Sequence, residues 1–515
     1  MKGKSVCVVN DLTLDEQRAL YQKAAGVKKD ILSGKFKQPT HPSSAYLMFL
    51  EDSTRTKESF RNASETLGFR TNIFDATSSS LNKFETLNDT VRMLCGYTAM
   101  PTVFIIRSKI EGLCKSLQDA MTEYSARSGV PTPSFVNAGD GKHEHPTQEF
   151  LDEFSFIDQL GGNTDSIHIA LVGDLLLGRT VHSKADGLGI FKHVTVDLVA
   201  PAELQLPPNY VDRMKSNGFI LNTFSSLDDY FGRGKAIAPI LYFTRLQLER
   251  MDKSMLEKEA ALRRSTSLRM DMLEKLPKGA KIYHPLPRHG EFPEIPFEVD
   301  NTPFNGYDEQ SRNGYYVRTA LLGLLTDPQG MPASSRELQM SSPELRHTPV
   351  SSVNQFFEVA SKSVLELTAW IEVEFPESCC PSVVRKAISR MRVLSSIETK
   401  DGFCQISKNR ACHTIYPEMV KDETWLQFMF VFFSGLSPRI IYEKSKGEFF
   451  ELTGSIAGDV VRNLPGLHCT NNACVSHPDS KQRDVVPMFH PSREHAHRFT
   501  CRYCERELTG NEMFM

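Results

Sequence analysis

Short apolar segments alternate with amphipathic ones between residues 45 and 326. The apolar segments predict strands at residues 45–51, 103–108, 134–139, 168–174, 194–201, 240–247 and 281–287. Most are continuously apolar rather than alternating, which is typical of parallel strands covered by helices on both faces. The alternation therefore predicts an α/β fold of two doubly wound parallel-sheet lobes, with residues 1–150 in the first and 151–309 in the second. An amphipathic helix at residues 310–326 is expected to close the first lobe.

The composition changes after this helix. Residues 327–349 are rich in Pro, Ser and Gly and predict a linker. Residues 350–462 contain apolar runs of helical or alternating spacing and predict a small α+β domain. Residues 463–515 hold two pairs of cysteines and predict a β-rich zinc domain.

Length and charge narrow the class of protein. A chain of 515 residues is too long for one ordinary core. The formal net charge of -3 gives no electrostatic case for binding nucleic acid or an anionic membrane. No apolar run approaches the roughly 20 residues of a membrane span, and we expect no signal peptide. The cysteines outside the two pairs show no disulfide framework, so we expect a cytoplasmic protein with reduced thiols.

Polar side chains follow nearly every predicted strand. Because the carboxyl ends of parallel strands meet at one edge of a sheet, we expect these side chains to converge. Alone, the first group would be equally well explained as a helix N-cap, and a single strand-end arginine is usually solvated. Their coincidence favours a site. In chain order the set is Ser53, Thr54, Arg55, Thr56, Arg107, His145, Gln148, Arg179, Thr180, Arg245 and Gln247.

This set favours small anionic substrates. Hydroxyls, guanidinium groups and a helix N-terminus together bind phosphate. No acid/base pair of carboxylates and no Gly-x-Ser-x-Gly nucleophile accompanies them, so catalysis by positioning and electrostatics is expected. The turn from Gly173 to Gly178 lacks the spacing of a dinucleotide loop. We therefore expect no catalytic metal and no organic cofactor.

Several motifs together resemble the carbamoyltransferases. They are Ser53-Thr-Arg-Thr56, His145-Pro-Thr-Gln148 and His284-Pro-Leu-Pro287. Gly178-Arg-Thr-Val-His182 and Thr244-Arg-Leu-Gln247 resemble the aspartate rather than the ornithine enzymes. The charges agree, because Arg179 and Arg245 can each clamp one carboxylate of aspartate.

The resemblance implies a role for each residue. The first lobe would bind carbamoyl phosphate and the second would bind aspartate. Arg55, Thr56, Arg107 and His145 would be catalytic. The residues implied for carbamoyl phosphate are Ser53, Thr54, Arg55, Thr56, Ser80, Lys83, Arg107, His145, Gln148 and Leu286. Those implied for aspartate are Arg179, Thr180, Arg245, Gln247 and Pro287.

Residues 78–87 resemble the mobile loop of the family, whose lysine and serine reach into a neighbouring subunit's site. Lys83 matches, and the serine is Ser79 or Ser80. The resemblance thus implies a homotrimer, or two stacked trimers, with shared active sites. Phe84 stands where the family has glycine, and a polar surface loop with a solvated lysine is the alternative.

The paired cysteines have zinc-ligand spacing. Cys469 and Cys474 are separated by four residues, Cys501 and Cys504 by two, and 26 residues lie between the pairs. We expect one structural zinc ion per chain, held by these cysteines. The segment resembles the zinc domain of the aspartate transcarbamoylase regulatory chain, which implies a catalytic chain fused to a regulatory one. A nucleotide effector is a further hypothesis from this resemblance, with Lys408-Asn-Arg410 as the candidate remnant of its site. Residues 350–460 depart from the family pattern, because its Val-Ile-Asp-His-Ile effector segment is not found there.

The leading hypothesis is an aspartate carbamoyltransferase of de novo pyrimidine biosynthesis, which forms N-carbamoyl-L-aspartate and phosphate. One alternative is a carbamoyltransferase for another amino acid. Another is an inactive scaffold or a nucleic-acid-binding zinc protein. The complete set of strand-end groups argues against inactivity, and the net charge argues against nucleic acid.

Overall fold

A computed structural model describes most of the chain: residues 3–74, 85–233, 236–247, 257–327, 342–349, 369–374, 404–407, 410–414, 420–434, 438–445, 448–457, 460–492 and 495–514. Its contacts divide the chain into two units, Met1–Ala333 and Ser334–Met515. Within the described residues, no helix combines the length and the apolar character that crossing a membrane requires.

The first lobe of unit one is built on a parallel sheet in the order β2-β1-β3-β4. Its strands are β1 (Ser44–Phe49), β2 (Arg70–Phe74), β3 (Thr102–Ser108) and β4 (Ser134–Asp140). Its helices are α1 (Leu14–Leu32), α2 (Thr54–Thr66), α3 (Leu87–Gly96), α4 (Leu113–Ser128) and α5 (Pro146–Gln159). A short 3₁₀ helix, Val9–Asp11, precedes α1.

The second lobe is built on a parallel sheet in the order β7-β6-β5-β8-β9. Its strands are β5 (Ser166–Val172), β6 (His193–Val199), β7 (Ile220–Phe224), β8 (Ile240–Phe243) and β9 (Lys281–Tyr283). The α-helices are α6 (Arg179–His182), α7 (Lys184–Gly187), α8 (Pro208–Ser216), α9 (Leu227–Gly232) and α10 (Glu259–Thr266). The 3₁₀ helices are Leu188–Ile190, Ala202–Leu204, Met270–Lys275 and Phe297–Asn301.

A final helix, α11 (Tyr307–Thr326), returns from the second lobe to the first. It packs against α1, α2 and α5, and it buries Val317, Leu321 and Leu325 in the same core as their apolar residues. This agrees with the closing role expected for residues 310–326, and the helix begins three residues earlier, at Tyr307.

The α/β architecture is confirmed, with differences at particular elements. Two strands were missed, β2 and β7, and both lie at sheet edges where polar residues interrupt the apolar pattern. The strands expected at 240–247 and 281–287 end early, at Phe243 and Tyr283, because the chain turns there into hydrogen-bonded loops. The lobe boundary expected at residue 150 falls inside α5, whose continuous hydrogen bonding carries the chain across it.

Each parallel sheet reverses its strand order at one point, between β1 and β3 in the first and between β5 and β8 in the second. Strand ends splay apart at such switch points, and ligands bind there. Just beyond β5, Gly173 lies very close to the backbone of Thr244, which follows β8. A Cβ at this residue would lie 2.4 Å from the carbonyl oxygen of Thr244, and its φ of +115° is unfavourable for other residues.

Unit two contains two antiparallel sheets. The larger has the order β10-β15-β14-β11-β13-β12, with α12 (Glu423–Phe432) in the same unit. Its strands are β10 (Ser342–Pro349), β11 (Ala369–Glu374), β12 (Cys404–Ser407), β13 (Arg410–Thr414), β14 (Arg439–Ser445) and β15 (Glu448–Ala457). The smaller runs in chain order through β16 (Val461–Arg462), β17 (Met488–Pro491), β18 (Arg498–Cys501) and β19 (Glu507–Thr509), followed by the 3₁₀ helix Asn511–Phe514.

The linker expected at residues 327–349 is wrong over its last part. Residues 342–349 form β10, which pairs antiparallel with β15. The position explains the composition, because β10 lies at the edge of the sheet, where Pro343 and Pro349 can be accommodated. The zinc domain also starts slightly earlier than residue 463, since Val461 and Arg462 already pair with β17.

Candidate active site

The carboxyl ends of the strands in unit one surround a cleft of about 370 Å³. Twelve of the strand-end and loop residues expected at a site line it: Ser53, Arg55, Thr56, Arg107, His145, Gln148, Arg179, Thr180, Arg245, Gln247, Leu286 and Pro287. Thr54 does not line it, and its side chain is exposed. Ser80, Lys83 and Phe84 lie outside the described residues.

The segment after β1 opens α2 toward this cleft. Ser53 occupies the N-cap position, but its side chain makes no capping hydrogen bond. Its hydroxyl instead belongs to the cleft lining, as do the side chains of Arg55 and Thr56. The N–H groups of a helix N-terminus, together with hydroxyls and a guanidinium, form an anion-binding site. Burial, and then the charge of Arg107, lower the pKa of Arg55, as expected for guanidinium groups gathered in one cleft.

His145 occupies the N-cap position of α5 and lines the same cleft. Its Nε2 lies 3.4 Å from the hydroxyl of Thr56, and within the described residues its buried Nδ1 has no hydrogen-bond partner. Burial holds the pKa of His145 well below its usual value, and the positive charges of Arg318, Arg179 and Arg107 lower it further. The ring is therefore neutral and retains one N–H to donate, without bringing another positive charge into the cleft.

Two arginines of the cleft are oriented by backbone carbonyl groups. One nitrogen of Arg107 donates to the carbonyl of Ala138 at 3.1 Å, and its Nε lies 3.5 Å from a carboxylate oxygen of Glu51. Arg179 donates to the carbonyl of Gly141 at 2.6 Å. A guanidinium is planar and carries its N–H donors in a fixed fork, so these contacts set the direction of each group.

Asp174, just beyond β5, orders the loop that carries Arg245 and Gln247. One carboxylate oxygen accepts from the backbone N–H of Leu177 at 2.9 Å, and the other accepts from that of Gln247 at 3.2 Å. The side-chain amide of Gln247 donates to the carbonyl of Leu177 at 2.9 Å. The loops beyond β5 and β8 are thus tied together, which places Arg179 and Arg245 at the same end of the cleft.

The segment His284–Pro287 forms a further wall. Leu286 has a φ of 45° and precedes a cis proline. Such a backbone is unusual for leucine and is characteristic of functional sites. The Nδ1 of His284 accepts the backbone N–H of Leu286 at 2.8 Å, which holds the turn. Burial, followed by the charges of Arg288, Arg55 and Arg245, lowers the pKa of His284 to about 3.

Sequence reasoning missed several lining residues that come from helices, among them Ser59, Gln310 and Arg318. Arg318 is 4% exposed, and it donates to the hydroxyl of Ser59 at 2.9 Å. A signal was present, because this arginine falls on the buried face of α11 with Val317 and Leu321. An arginine at a core position of an amphipathic helix has to be paired or functional.

Arg55, Arg107, Arg179, Arg245 and Arg318 all line the cleft, and its described lining contains no carboxylate side chain. The arrangement can bind an anion at the α2 end and further negative groups at the Arg179 and Arg245 end. Between them, Thr56, Arg107 and His145 can donate hydrogen bonds to one oxygen atom. Such donors accelerate a reaction in which that oxygen becomes negatively charged.

A second site is formed by Cys501, at the end of β18, and by three cysteines of the neighbouring loops. The Sγ atoms of Cys469, Cys474, Cys501 and Cys504 all lie within 4.8 Å of one another, and all four residues are buried. The Cys469–Cys504 and Cys474–Cys501 sulfur separations are 3.6 and 3.8 Å. Zinc–sulfur bonds of about 2.3 Å in a tetrahedron require sulfur separations of about 3.8 Å. The residues present therefore fit a closed tetrahedral metal site.

Three family models match the chain. "Aspartate/ornithine carbamoyltransferase, carbamoyl-P binding domain" matches residues 4–158, and the "Asp/Orn binding domain" of the same family matches residues 165–325. "Aspartate carbamoyltransferase regulatory chain, metal binding domain" matches residues 459–514.

Curated relatives match over the whole length. "Protein PyrBI" of Thermotoga maritima is 37% identical, and that of Treponema denticola is 38% identical; each match covers 99% of this chain and 98% of the relative. Among solved structures, aspartate transcarbamoylase from Trypanosoma cruzi in complex with carbamoyl phosphate and aspartate is 32% identical, with a TM-score of 0.53. That match covers 63% of this chain and 97% of the other.

The lowered pKa of His284 predicts a pH-dependent loss of stability. Below about pH 6.5 the unfolded state binds a proton that the folded ring, with a pKa of about 3, does not. Stability is thus fully present above pH 6.5 and falls as pH decreases toward 3. Between pH 7.5 and 5.0, His284→Gln should lose about 2 kcal/mol less unfolding free energy than the unsubstituted chain. Urea unfolding of unit one at both pH values measures this.

The constant offset between the two proteins at pH 7.5 reports the packing cost of the substitution. Only the difference in the slope of unfolding free energy against pH reports the proton that His284 binds on unfolding. If the unfolding free energies of the two proteins changed in parallel from pH 7.5 to 5.0, His284 would not contribute to the pH dependence of stability.

Proposed function

Because the chain belongs to the aspartate/ornithine carbamoyltransferase family, we propose that its cleft transfers the carbamoyl group of carbamoyl phosphate to the amine of L-aspartate. The chain is an aspartate carbamoyltransferase that carries a regulatory-chain metal-binding domain in the same polypeptide. The products are N-carbamoyl-L-aspartate and phosphate, which places the reaction in pyrimidine biosynthesis.

The observation that carries the proposal is the pairing of two kinds of anion site in one cleft. At one end, Ser53, Arg55 and Thr56 surround the N-terminus of α2. At the other end, the tied loops beyond β5 and β8 bring Arg179 and Arg245 together. The first end suits the phosphate of carbamoyl phosphate. The second suits a dicarboxylate, since each guanidinium can clamp one carboxylate with two hydrogen bonds.

In this proposal the neutral amine of aspartate attacks the carbamoyl carbon. The carbonyl oxygen then gains negative charge, which Thr56, Arg107 and His145 stabilise by hydrogen bonds. Gln148 and the carbonyl of Leu286 accept N–H groups of the carbamoyl amine. Phosphate leaves as the tetrahedral intermediate collapses, and it takes up the proton that the attacking nitrogen loses. Holding both substrates in line supplies much of the acceleration.

The charge of the cleft also discriminates against the nearest alternative. An ornithine substrate presents a positively charged side-chain amine, which would need an acidic partner. The described lining of the cleft offers none, whereas Thr180, Arg245 and Gln247 suit a carboxylate. We accordingly propose that aspartate is bound by Arg179, Thr180, Arg245, Gln247 and Pro287.

The activity is tested by supplying carbamoyl phosphate with aspartate or with ornithine and identifying the product by mass spectrometry. We expect carbamoyl aspartate. Arg245→Ala should raise the KM for aspartate about 10- to 100-fold, because a charged hydrogen-bond pair is worth about 1.5–3 kcal/mol. Arg55→Ala should instead reduce kcat by about 10²–10³, as expected for loss of a group that stabilises the leaving phosphate.

Formation of carbamoyl ornithine, or of no product, would overturn the proposed function. Equal effects of Arg245→Ala on the KM values for both substrates would contradict the assignment of that arginine to aspartate.

We further propose that the metal at the four cysteines is zinc, one ion per chain, in a structural role. All four positions of the tetrahedron are filled by protein ligands, so no position is open for a substrate. So small a sheet, with its loops, depends on the metal for its stability.

Metal analysis of the purified chain should find one zinc ion, and Cys501→Ser should abolish its retention. Cys7→Ser serves as the control, because Cys7 is also a buried cysteine but lies in unit one, outside the cluster. Retention of zinc by Cys501→Ser, or its loss from Cys7→Ser, would contradict the assignment.

The expected trimer remains a proposal, since the loop with Ser80 and Lys83 lies outside the described residues. Sedimentation equilibrium should give the mass of three or six chains. A fully active monomer would rule out sites shared between subunits.

The nucleotide effector also stays a prediction, because residues 408 and 409 lie outside the described residues. A cytoplasmic location also stays a prediction.

A further inference from the structure

A fully buried ion cluster lies behind the cleft, where α5 meets the second lobe. The ammonium group of Lys184, on α7, lies 2.5 Å from a carboxylate oxygen of Glu149 and 2.9 Å from Oδ2 of Asp152. All three side chains are 0% exposed. The ammonium also lies over the rings of Tyr242 and Phe156, with 4.7 and 5.6 Å to their centroids.

Asp152 connects this cluster to the cleft. Its Oδ1 accepts the side-chain amides of Gln148 at 2.9 Å and Gln310 at 2.6 Å. Its Oδ2 accepts the hydroxyl of Tyr242 at 2.7 Å. The other end of the Gln310 amide accepts the backbone N–H of His284 at 2.9 Å. One carboxylate therefore contacts residues of α5, α11 and β8 and, through Gln310, the segment His284–Pro287.

The charge on Asp152 decides which way both amides point. An ionised carboxylate can only accept hydrogen bonds, so each glutamine must present its NH₂ group to it. The carbonyl of Gln148 is then directed away from Asp152 and remains available as an acceptor. The carbonyl of Gln310 is likewise directed to the N–H of His284. A protonated carboxyl could donate instead and would permit the opposite orientation.

A buried carboxylate stays ionised only beside a compensating charge. Burial raises the pKa of Glu149 to about 7, despite the opposing effect of Lys184, and that of Glu153 well above its usual value. These two glutamates also crowd α7, because a Cβ at Gly187 would lie 2.0 Å from Glu153 and 2.3 Å from Glu149. Since buried ion pairs contribute little net stability, orientation is the better explanation for this cluster.

We propose that Lys184 is a positioning residue for carbamoyl transfer. Its charge keeps Asp152 a carboxylate, and Asp152 in turn fixes the amide of Gln148 and, through Gln310, the segment that carries Leu286. The inference rests on the proposed function, in which Gln148 and Leu286 accept the N–H groups of the carbamoyl amine. Lys184 itself contacts no substrate.

The test compares the pH dependence of kcat in the full-length chain. Lys184→Met keeps the side-chain length but removes the buried positive charge beside Asp152, which favours the neutral carboxyl over the carboxylate. We expect kcat at pH 7 to fall about 10- to 100-fold, with the KM for aspartate changed less than about threefold. Between pH 7 and 9 the ratio of variant to unsubstituted kcat should rise by up to about tenfold per pH unit, as Asp152 ionises.

The other titratable groups around Asp152 do not account for the expected pH dependence of kcat. Burial holds the pKa of Tyr21 and Tyr242 well above the usual value and also raises that of Tyr283. Arg318 keeps its charge through most of this range, since burial lowers its pKa only to about 10. Glu149 and Glu153 face the same cluster, and their contribution is isolated by the controls.

Asp152→Asn provides the matched variant, because an amide cannot ionise. Its kcat should fall similarly but stay low at every pH between 7 and 9. Glu149→Gln removes the other partner of Lys184 and leaves the contacts of Asp152 in place, so its kcat should stay within about twofold of the unsubstituted chain. If Lys184→Met does not fold, the double variant Lys184→Met/Glu149→Gln, which buries one charge fewer, should show the same pH profile.

A loss of kcat that is equal at every pH would overturn the inference, as would an effect confined to the KM for aspartate. Either result would leave the proposed function intact if the unsubstituted chain forms carbamoyl aspartate. If that chain forms none, the proposed function itself fails.

Discussion

The structure of unit one depends on holding several positive charges close together in one cleft. Guanidinium groups repel one another, so only a rigid frame can hold them in one cleft. The frame is made of backbone: Ala138 and Gly141 orient Arg107 and Arg179 through their carbonyl groups. The neutral ring of His145 adds a donor without adding charge. The two switch points explain the arrangement, since each opens a space where loops of different strands can converge.

The sequence alone was sufficient for the architecture of unit one and for most residues that line the cleft. Continuous apolar strands are easily recognised, and the carboxyl ends of parallel strands converge as a rule. The missed strands β2 and β7 lie at sheet edges, where a strand need not be apolar on both faces. Arg318 and Gln310 were missed because they come from a helix, and no local pattern relates a helix to the strand ends that it faces.

The buried cluster around Lys184 was beyond sequence reasoning for a different reason. Glu149, Asp152 and Lys184 look like ordinary surface charges in a chain of which 24% is charged. Only the packing of α5 against α7 shows that they face one another without water. By contrast, the cysteines of unit two were predictable because metal geometry restricts their spacing. The edge strand β10 was mistaken for a linker because prolines are frequent in both.

The return of α11 has a consequence for synthesis on the ribosome. The first lobe is encoded in two separate pieces, and its core includes Val317, Leu321 and Leu325 of α11. These residues are translated only after the whole of the second lobe. The second lobe is continuous in the chain and can fold as soon as it emerges, whereas the first must wait with part of its apolar core uncovered. Translation order and folding order are therefore inverted for the two halves of the active site.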